Sequence, residues 1–342
     1  VTYLVTGCAG FIGYYTARAL LEAGHTVVGL DSVNDYYRTD LKETRLVLLE
    51  ETGEKAGTGR WTFYRGNLED APLLDRVFAA HGFDRVIHLA AQAGVRYSIT
   101  NPRAYASSNL DGFLNILEAC RAHKTAHLAF ASSSSVYGLN RKVPFCETDP
   151  VDHPVSLYAA TKRANELMAH TYSHLYGLPV TGMRFFTVYG PMGRPDMAYF
   201  SFAEAIMAGK PIHVFNNGDL LRDFTFVDDV VRAVILIADR PAAPDPGFDA
   251  AATRTDRSSA PYRIYNIGNS RPEKLEYFIE TLGRLLGKKA VKNYLPMQAG
   301  DVYMTAADTS ALESDFGWSP STPLAEGLER FTEWFKGAMH GR

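Results

Sequence analysis

Thr2-Tyr3-Leu4-Val5-Thr6-Gly7-Cys8-Ala9-Gly10-Phe11-Ile12-Gly13 begins as a short β-prone run, breaks into a glycine turn and passes into a helical pattern from Tyr14 to Ala23. Strand, turn and helix follow in that order. Glycines spaced three and three let the backbone turn tightly, approach a pyrophosphate and pack helix on strand, with the helix N-terminus facing the phosphates. A second apolar run, His25 to Leu30, ends in Asp31, at the distance where an acid accepts from a ribose 2′-hydroxyl. An acid there disfavours a 2′-phosphate, so NAD is expected rather than NADP.

Working outward, the periodicity switches repeatedly between strand and helix, as a doubly wound sheet requires. Ser32 to Arg60 reads as a polar insertion containing a helix from Leu41 to Glu51. Strands are expected at Trp61–Arg65, Arg85–Ala90, His127–Ala131 and Pro179–Phe185, and helices at Leu73–Ala80, Ala104–His123 and from Tyr158 to about Tyr176. Beyond Gly190 the rhythm loosens, and 241–260 reads as a flexible loop. The expected architecture is α/β, a Rossmann-type doubly wound parallel sheet over residues 1–190 with returns near 226–239 and 262–267. Residues 191–342 would form mostly a smaller C-terminal substrate-binding lobe.

Tyr158-Ala-Ala-Thr-Lys162 places a phenol and an ammonium four residues apart, on one face of a helix. A neighbouring cation favours the phenolate, which makes a tyrosine a usable base. Alone, the same spacing describes a surface tyrosine beside a solvated lysine. The glycine turn upstream gives it a context.

Composition excludes several classes. The 342 residues carry 35 basic and 38 acidic side chains, a net charge of −3 with no basic block, so nucleic acid and membrane surfaces are not expected partners. No apolar run approaches the ~20 residues that cross a bilayer. Cys8, Cys120 and Cys146 lack metal spacing and fit free thiols in a reducing compartment. The chain opens on a strand rather than a signal-peptide pattern, and the expected localisation is cytoplasmic. His88 and His213 read as satisfied polar residues, and no metal site is expected.

Thr6-Gly7-x-x-Gly10-x-x-Gly13, His88-Leu89-Ala90-Ala91, Ser132-Ser133-Ser134-Ser135-Val136-Tyr137-Gly138 and Tyr158-x-x-x-Lys162, in that order, resemble the extended short-chain dehydrogenase/reductase family over nearly the whole chain. Within it the likeness is to NAD-dependent nucleotide-sugar epimerases. Three longer strings, Asn34-Asp35-Tyr36-Tyr37, Gln92 to Ser98 and Gly190 to Ala198, are similar to UDP-glucuronate 4-epimerases. Asn67 departs from the pattern, standing where the family usually has Asp against the adenine.

The resemblance implies a mechanism and a set of contacts. Tyr158 would take the proton from the sugar 4-hydroxyl as hydride leaves C4, Lys162 would hold the cofactor ribose and depress the phenol pKa, and Ser133 would bind the same oxygen. The 4-keto sugar would then turn over and accept the hydride on its other face. It assigns the NAD to Gly7, Gly10, Phe11, Ile12, Gly13, Asp31, Asn67, Leu68, Leu89, Ala90, Ala91, Gln92, Asn109, Ser132, Tyr158, Lys162 and Phe185. The UDP-sugar would meet Ser134, Ser135, Thr187, Phe215, Arg222, Gln298 and Asp301, with Arg96 and Arg194 near the sugar end. Arg222 reads either as a diphosphate ligand or as a partner of Asp223.

Nucleotide-sugar dehydratases of this superfamily carry Asp-Glu where this chain has Ser134 and Ser135, and UDP-glucuronate decarboxylases usually keep a Glu at the second position. The resemblance therefore favours UDP-glucuronate 4-epimerisation over decarboxylation. A UDP-glucose or UDP-N-acetylglucosamine 4-epimerase remains an alternative, as does a non-catalytic NAD-binding sensor, although sensors typically lose one of Ser133, Tyr158 and Lys162. The family also pairs the helices beginning near Ala104 and Tyr158 across a two-fold axis, so a homodimer through a four-helix bundle is expected.

Overall fold

Leu4 and Val5 have no exposed surface, because the first strand lies in the middle of a sheet covered on both faces, which is where continuous apolar runs belong. The computed structural model describes residues 1–297 and 303–340. Along the first half of the chain run β1 (Thr2–Thr6), α1 (Phe11–Glu22), β2 (Thr26–Asp31), α2 (Thr39–Ala56), β3 (Trp61–Arg65), α3 (Ala71–His81), β4 (Arg85–His88), the short α4 (Tyr97–Thr100) and α5 (Pro102–Tyr105), α6 (Gly112–Ala122), β5 (His127–Ser133), α7 (Leu157–Tyr176) and β6 (Val180–Phe185). The second half holds β7 (Thr187–Tyr189), α8 (Ala198–Met207), β8 (Ile212–Val214), β9 (Leu221–Arg222), β10 (Phe224–Phe226), α9 (Val227–Asp239), β11 (Tyr262–Ile267), β12 (Glu273–Lys274), α10 (Leu275–Leu286), β13 (Lys292–Tyr294), α11 (Ser310–Phe316) and α12 (Leu324–His340).

Seven strands form one sheet in the order β11-β6-β5-β4-β1-β2-β3, every pairing parallel. α1 packs with α9 on one face, while α3, α6 and α7 cover the other. This is the doubly wound sheet expected, and its crossover places the carboxyl ends of β1 and β4 side by side. The remaining strands pair two by two, β7 with β10, β8 with β13 and β9 with β12. They pack with α8, α10 and α12 around Phe224 and Phe278, whose rings stack at 4.7 Å.

Local chemistry sets the helix ends. Ser156 caps α7, its hydroxyl accepting from the Ala159 N–H at 3.1 Å, and Gly177 ends it in the left-handed conformation. Asp70 caps α3 in the same way through Leu73.

Three regions differ from the expectations. The single helix read from Ala104 to His123 is broken: a π-helical turn spans Ala106–Asp111 between α5 and α6. The extra residue turns Asn109 inward, where its amide donates to Gln92 O (3.0 Å) and Thr161 Oγ1 (3.1 Å) and accepts from the Gln92 N–H (2.8 Å). The polar stretch after Asp31 is no loose insertion, since α2 packs on α1 and buries Lys42 and Arg45. Residues 241–260 contain no helix or strand, yet they are tied to their surroundings: Asp256 O accepts from the Ile264 N–H at 2.9 Å, and Ser258 Oγ lies 3.0 Å from His170 Nε2.

His88 and His127 are buried and uncharged: burial holds the first down to about 3 and the second to about 4. His127 bonds Ala238 O and Thr181 Oγ1, both at 2.9 Å. Below the ordinary value of 6.5 the unfolded chain takes up protons that the folded one refuses, so each histidine removes stability as pH falls, by about 1.4 kcal/mol per unit. Glu147, raised by burial to about 7, acts in the opposite sense. The comparison of wild type with His127→Gln isolates one group: in urea titrations the advantage of wild type should shrink steadily from pH 6.5 to pH 4, and a constant gap would contradict a neutral buried His127.

Candidate active site

β1, β4 and α1 converge on Gly7, where space decides the residues. Gly7 has φ +73°, and a Cβ on it would stand 2.7 Å from the Ala90 nitrogen. A Cβ on Gly10 would lie 2.9 Å from the Gly7 carbonyl oxygen, and one on Gly13 would collide with that oxygen. No side chain caps α1 and no acid stands in its first turn, so its leading N–H groups are left for an anion. A cradle that side chains would fill, at an uncapped helix start, fits a dinucleotide pyrophosphate. Phe11 and Ile12 open this helix. Asp31 ends β2 and accepts from the Ala9 N–H (3.0 Å) and the Val33 N–H (2.8 Å). Burial raises its carboxyl, opposed by those N–H groups and by Lys42 and Arg45.

The neighbouring strand ends complete the edge. Leu89 and Ala90 are held to Thr6, through its carbonyl and its hydroxyl, each at 3.2 Å. Ala91 and Gln92 follow, fastened by Asn109, whose side chain is thereby occupied within the protein. Asn67 is exposed and Leu68 buried beyond β3, while Phe185 is half-buried at the end of β6.

Ser132 and Ser133 point to opposite faces, as successive strand residues must. Ser132 donates to Glu166 Oε1 at 2.6 Å, so its hydroxyl is spent inside rather than toward the cofactor edge. Ser133 contacts Ser135 at 3.2 Å and is the hydrogen-bonding neighbour of the Tyr158 phenol. Ser134 and Ser135 begin a 3₁₀ turn beside it. Burial raises the Tyr158 phenol, while Ser133 and Arg194 pull it down. The Lys162 ammonium donates to Ala131 O at 2.8 Å, and Arg194 is a cation that lowers the phenol. The helix spacing is right, but the long lysine chain turns into the sheet to satisfy its buried charge.

Arg194 is held by Asp196 through Nε (3.0 Å) and Nη2 (2.5 Å), and Tyr36 donates to the same carboxylate at 3.2 Å. Arg96 is exposed and reaches the opposite lobe, its guanidinium 5.4 Å from the Phe215 ring centroid. Thr187 opens β7 with its N–H on Asp223 O at 3.2 Å. Arg222 donates to Leu221 O (3.0 Å) and Tyr303 O (3.1 Å). The Asp223 carboxylate is taken by the N–H groups of Asn269 (2.5 Å), Ser270 (3.0 Å) and Ala307 (2.8 Å), which accounts for it without Arg222. Gln298 and Asp301 lie outside the described residues. Among the described residues no cluster of His, Cys, Asp or Glu is suited to a metal ion.

The model of the NAD dependent epimerase/dehydratase family matches residues 3–268. The chain belongs to that family. It is 50% identical to the protein CapI of Staphylococcus aureus, covering 97% of each chain, and 47% identical to a probable UDP-glucuronate 4-epimerase of Rhizobium meliloti, covering 97% of this chain and 96% of the relative. The crystal structure of UDP-glucuronic acid 4-epimerase from Bacillus cereus with UDP-glucuronic acid and NAD superimposes with a TM-score of 0.85 at 31% identity, covering 99% of this chain and all of the other. The cofactor of this family member is NAD.

Sequence reading missed two groups of residues. Glu166 receives the Arg184 guanidinium at 2.8 and 2.9 Å as well as Ser132, a buried ion pair joining α7 to β5 and β6. Its place eight residues after Tyr158, on the face that carries Lys162, was the available signal. Arg45, Tyr36 and Asp196 form the other group; the strings Asn34–Tyr37 and Gly190–Ala198 were visible, but not that they touch.

Burial lowers the Lys162 ammonium from 10.5 to about 8. Between these values the unfolded chain holds a proton that the folded one has lost, so folding gains stability as pH rises through that window. Lys162→Met removes this dependence. In urea midpoints measured from pH 8 to pH 10.5, wild type should gain on the variant by about 1.4 kcal/mol per unit; parallel curves would show that Lys162 is not buried as described.

Proposed function

We propose that this family member inverts C4 of a UDP-hexuronic acid, converting UDP-glucuronate to UDP-galacturonate. The supporting observation is the surroundings of Tyr158: Ser133 is its hydrogen-bonding neighbour, the cation Arg194 pulls the phenol down, and the positions after Ser133 are serines. A dehydratase needs a further acid and base beside the tyrosine to eliminate water. Here the phenol, a hydroxyl and a guanidinium can move one proton and hold one anionic sugar.

In this reading Tyr158 accepts the proton of the sugar 4-hydroxyl and later returns it, with Ser133 hydrogen-bonded to the same oxygen. NAD supplies the hydride acceptor and donor, held by the glycine cradle, Asp31 and the β4 edge. Lys162 would leave the Ala131 carbonyl for the ribose hydroxyls, bringing its charge toward the phenol. Arg222, Phe215, Gln298 and Asp301 would hold the nucleotide, and Thr187, Ser134 and Ser135 the sugar. Arg194 and Arg96 would face the sugar carboxylate, where a planar fork suits the anion. Residues 1–190 with 226–239 and 262–267 act as the cofactor unit, and the rest of 191–342 as the nucleotide-sugar lobe.

Purified protein incubated with UDP-glucuronate and no added NAD should yield UDP-galacturonate by NMR. Tyr158→Phe should lower the rate by at least ~10²-fold, the usual scale of a proton-transfer group. Failure of the wild type to invert C4 even with NAD supplied would overturn the reading.

A homodimer is part of the same proposal. α6 and α7 expose Leu114, Leu167, Leu175 and Tyr176, with Leu167 54% and Leu175 62% accessible, a stripe that a second copy of the same helices would cover. The free thiols of Cys8, Cys120 and Cys146 support a cytoplasmic setting, and among the described residues no helix is long and apolar enough to cross a membrane. Light scattering should report twice the chain mass, and Leu167→Asp should shift it to that of one chain; a wild-type monomer at micromolar concentration would contradict the pairing.

A further inference from the structure

Arg45 has no exposed surface and lies on α2, outside every motif quoted from the sequence. Its guanidinium takes four oxygens from three places. Nη1 donates to Ala9 O (2.7 Å) in the glycine cradle and to the Tyr37 hydroxyl (2.7 Å); Nη2 donates to Met192 O (2.5 Å) and Gly193 O (3.3 Å), directly before Arg194. A buried cation bonded to carbonyls rather than to a carboxylate is costly, and a helix surface offers no reason for it. The position demands a fork that spans two segments.

What it holds is under strain. Met192 has φ +56°, a conformation that side chains other than glycine rarely adopt and that persists only where the surroundings enforce it. Tyr15 donates to Pro191 O at 3.1 Å from one side, and Gly193 is enclosed by Tyr199, so the turn has nowhere to relax. Arg194 emerges from this turn, and Asp196 and Tyr36 set the direction of its fork. A continuous line of bonds therefore runs from Asp31 through Ala9 and Arg45 to the Met192 turn and Arg194.

We propose that Arg45 is a positioning residue that fixes the Arg194 guanidinium relative to the cofactor cradle, and so sets the preference of the site for a sugar bearing a carboxylate. The proposal rests on the reading that Arg194 faces that carboxylate. Arg45 touches neither ligand. Its effect is to keep two backbone segments, one beneath the cofactor and one carrying the sugar-facing cation, at a fixed separation. Lysine preserves the charge felt by Asp31 but, as a point donor, cannot bridge both segments with the geometry of a fork.

The test is calorimetric binding of UDP-glucuronate, UDP-glucose and UDP to the purified wild type, Arg45→Lys and Arg45→Met, with thermal unfolding as the control for folding. Wild type should bind UDP-glucuronate more tightly than UDP-glucose. In Arg45→Lys that ratio should fall about tenfold, the scale of one misplaced charged hydrogen bond, while UDP binding stays within twofold. Arg45→Met should lower the ratio at least as far. An unchanged ratio in a folded Arg45→Lys protein, or an equal loss for all three ligands, would overturn the role of Arg45 alone. A wild type that binds the two sugars alike would instead overturn the reading of Arg194, and this proposal with it.

Discussion

Everything in the site depends on how closely three backbone segments approach at Gly7. The end of β1, the end of β4 and the start of α1 come together with no room for a Cβ at Gly7 or Gly13. That approach leaves helix N–H groups uncovered at the carboxyl edge of the sheet, and it fixes where a dinucleotide must lie. Thr6 adds the cross-link, its carbonyl and hydroxyl both engaged by the backbone after β4. The glycines are needed for proximity more than for flexibility.

A second layer of polar bonds orients the chemistry without touching it. Glu166 lies fully buried against Arg184 and Ser132, so the helix of Tyr158 and the strand of Ser133 are keyed to each other. Breaking one member would strand a charge in the interior, which is far more costly than losing a surface pair. Asn109 does similar work on the opposite side, joining the segment after β4 to α7 through Gln92 and Thr161. The side chains of Tyr158 and Ser133 are placed by neighbours whose hydrogen bonds are made within the protein.

The sequence disclosed what is encoded locally. The glycine turn, Asp31 and the order of strands were legible because each rests on residues close in the chain, and the Tyr158 helix ends where Ser156 and Gly177 put its caps. The π turn at Asn109 was not, because its cause is the demand of Gln92 and Thr161, remote partners that periodicity does not register. The helix of α2 was legible but its packing was not, for a related reason: Asn34, Ala9 and Met192, which surround Lys42 and Arg45, are remote from the pattern that marks the helix. The side-by-side placement of Tyr158 and Lys162 was an inference from helix spacing, and spacing does not specify a rotamer. Ser132 was assigned by its neighbourhood in a motif, which does not register that its hydroxyl is given to Glu166.

The order of the sheet has a consequence for how the protein is made. β6 sits beside β11, the last strand of the seven-stranded sheet to be synthesised, and between them the chain leaves to build β7 to β10, α8 and α9. A nascent chain emerging from the ribosome therefore carries an open, apolar strand edge at Val180–Phe185 until Tyr262–Ile267 arrives to close it. Unpaired edges of this kind recruit other chains. The fold thus relies on its later segment for protection against misassembly, and residues 1–190 cannot be cut away from 262–267 as a separate module.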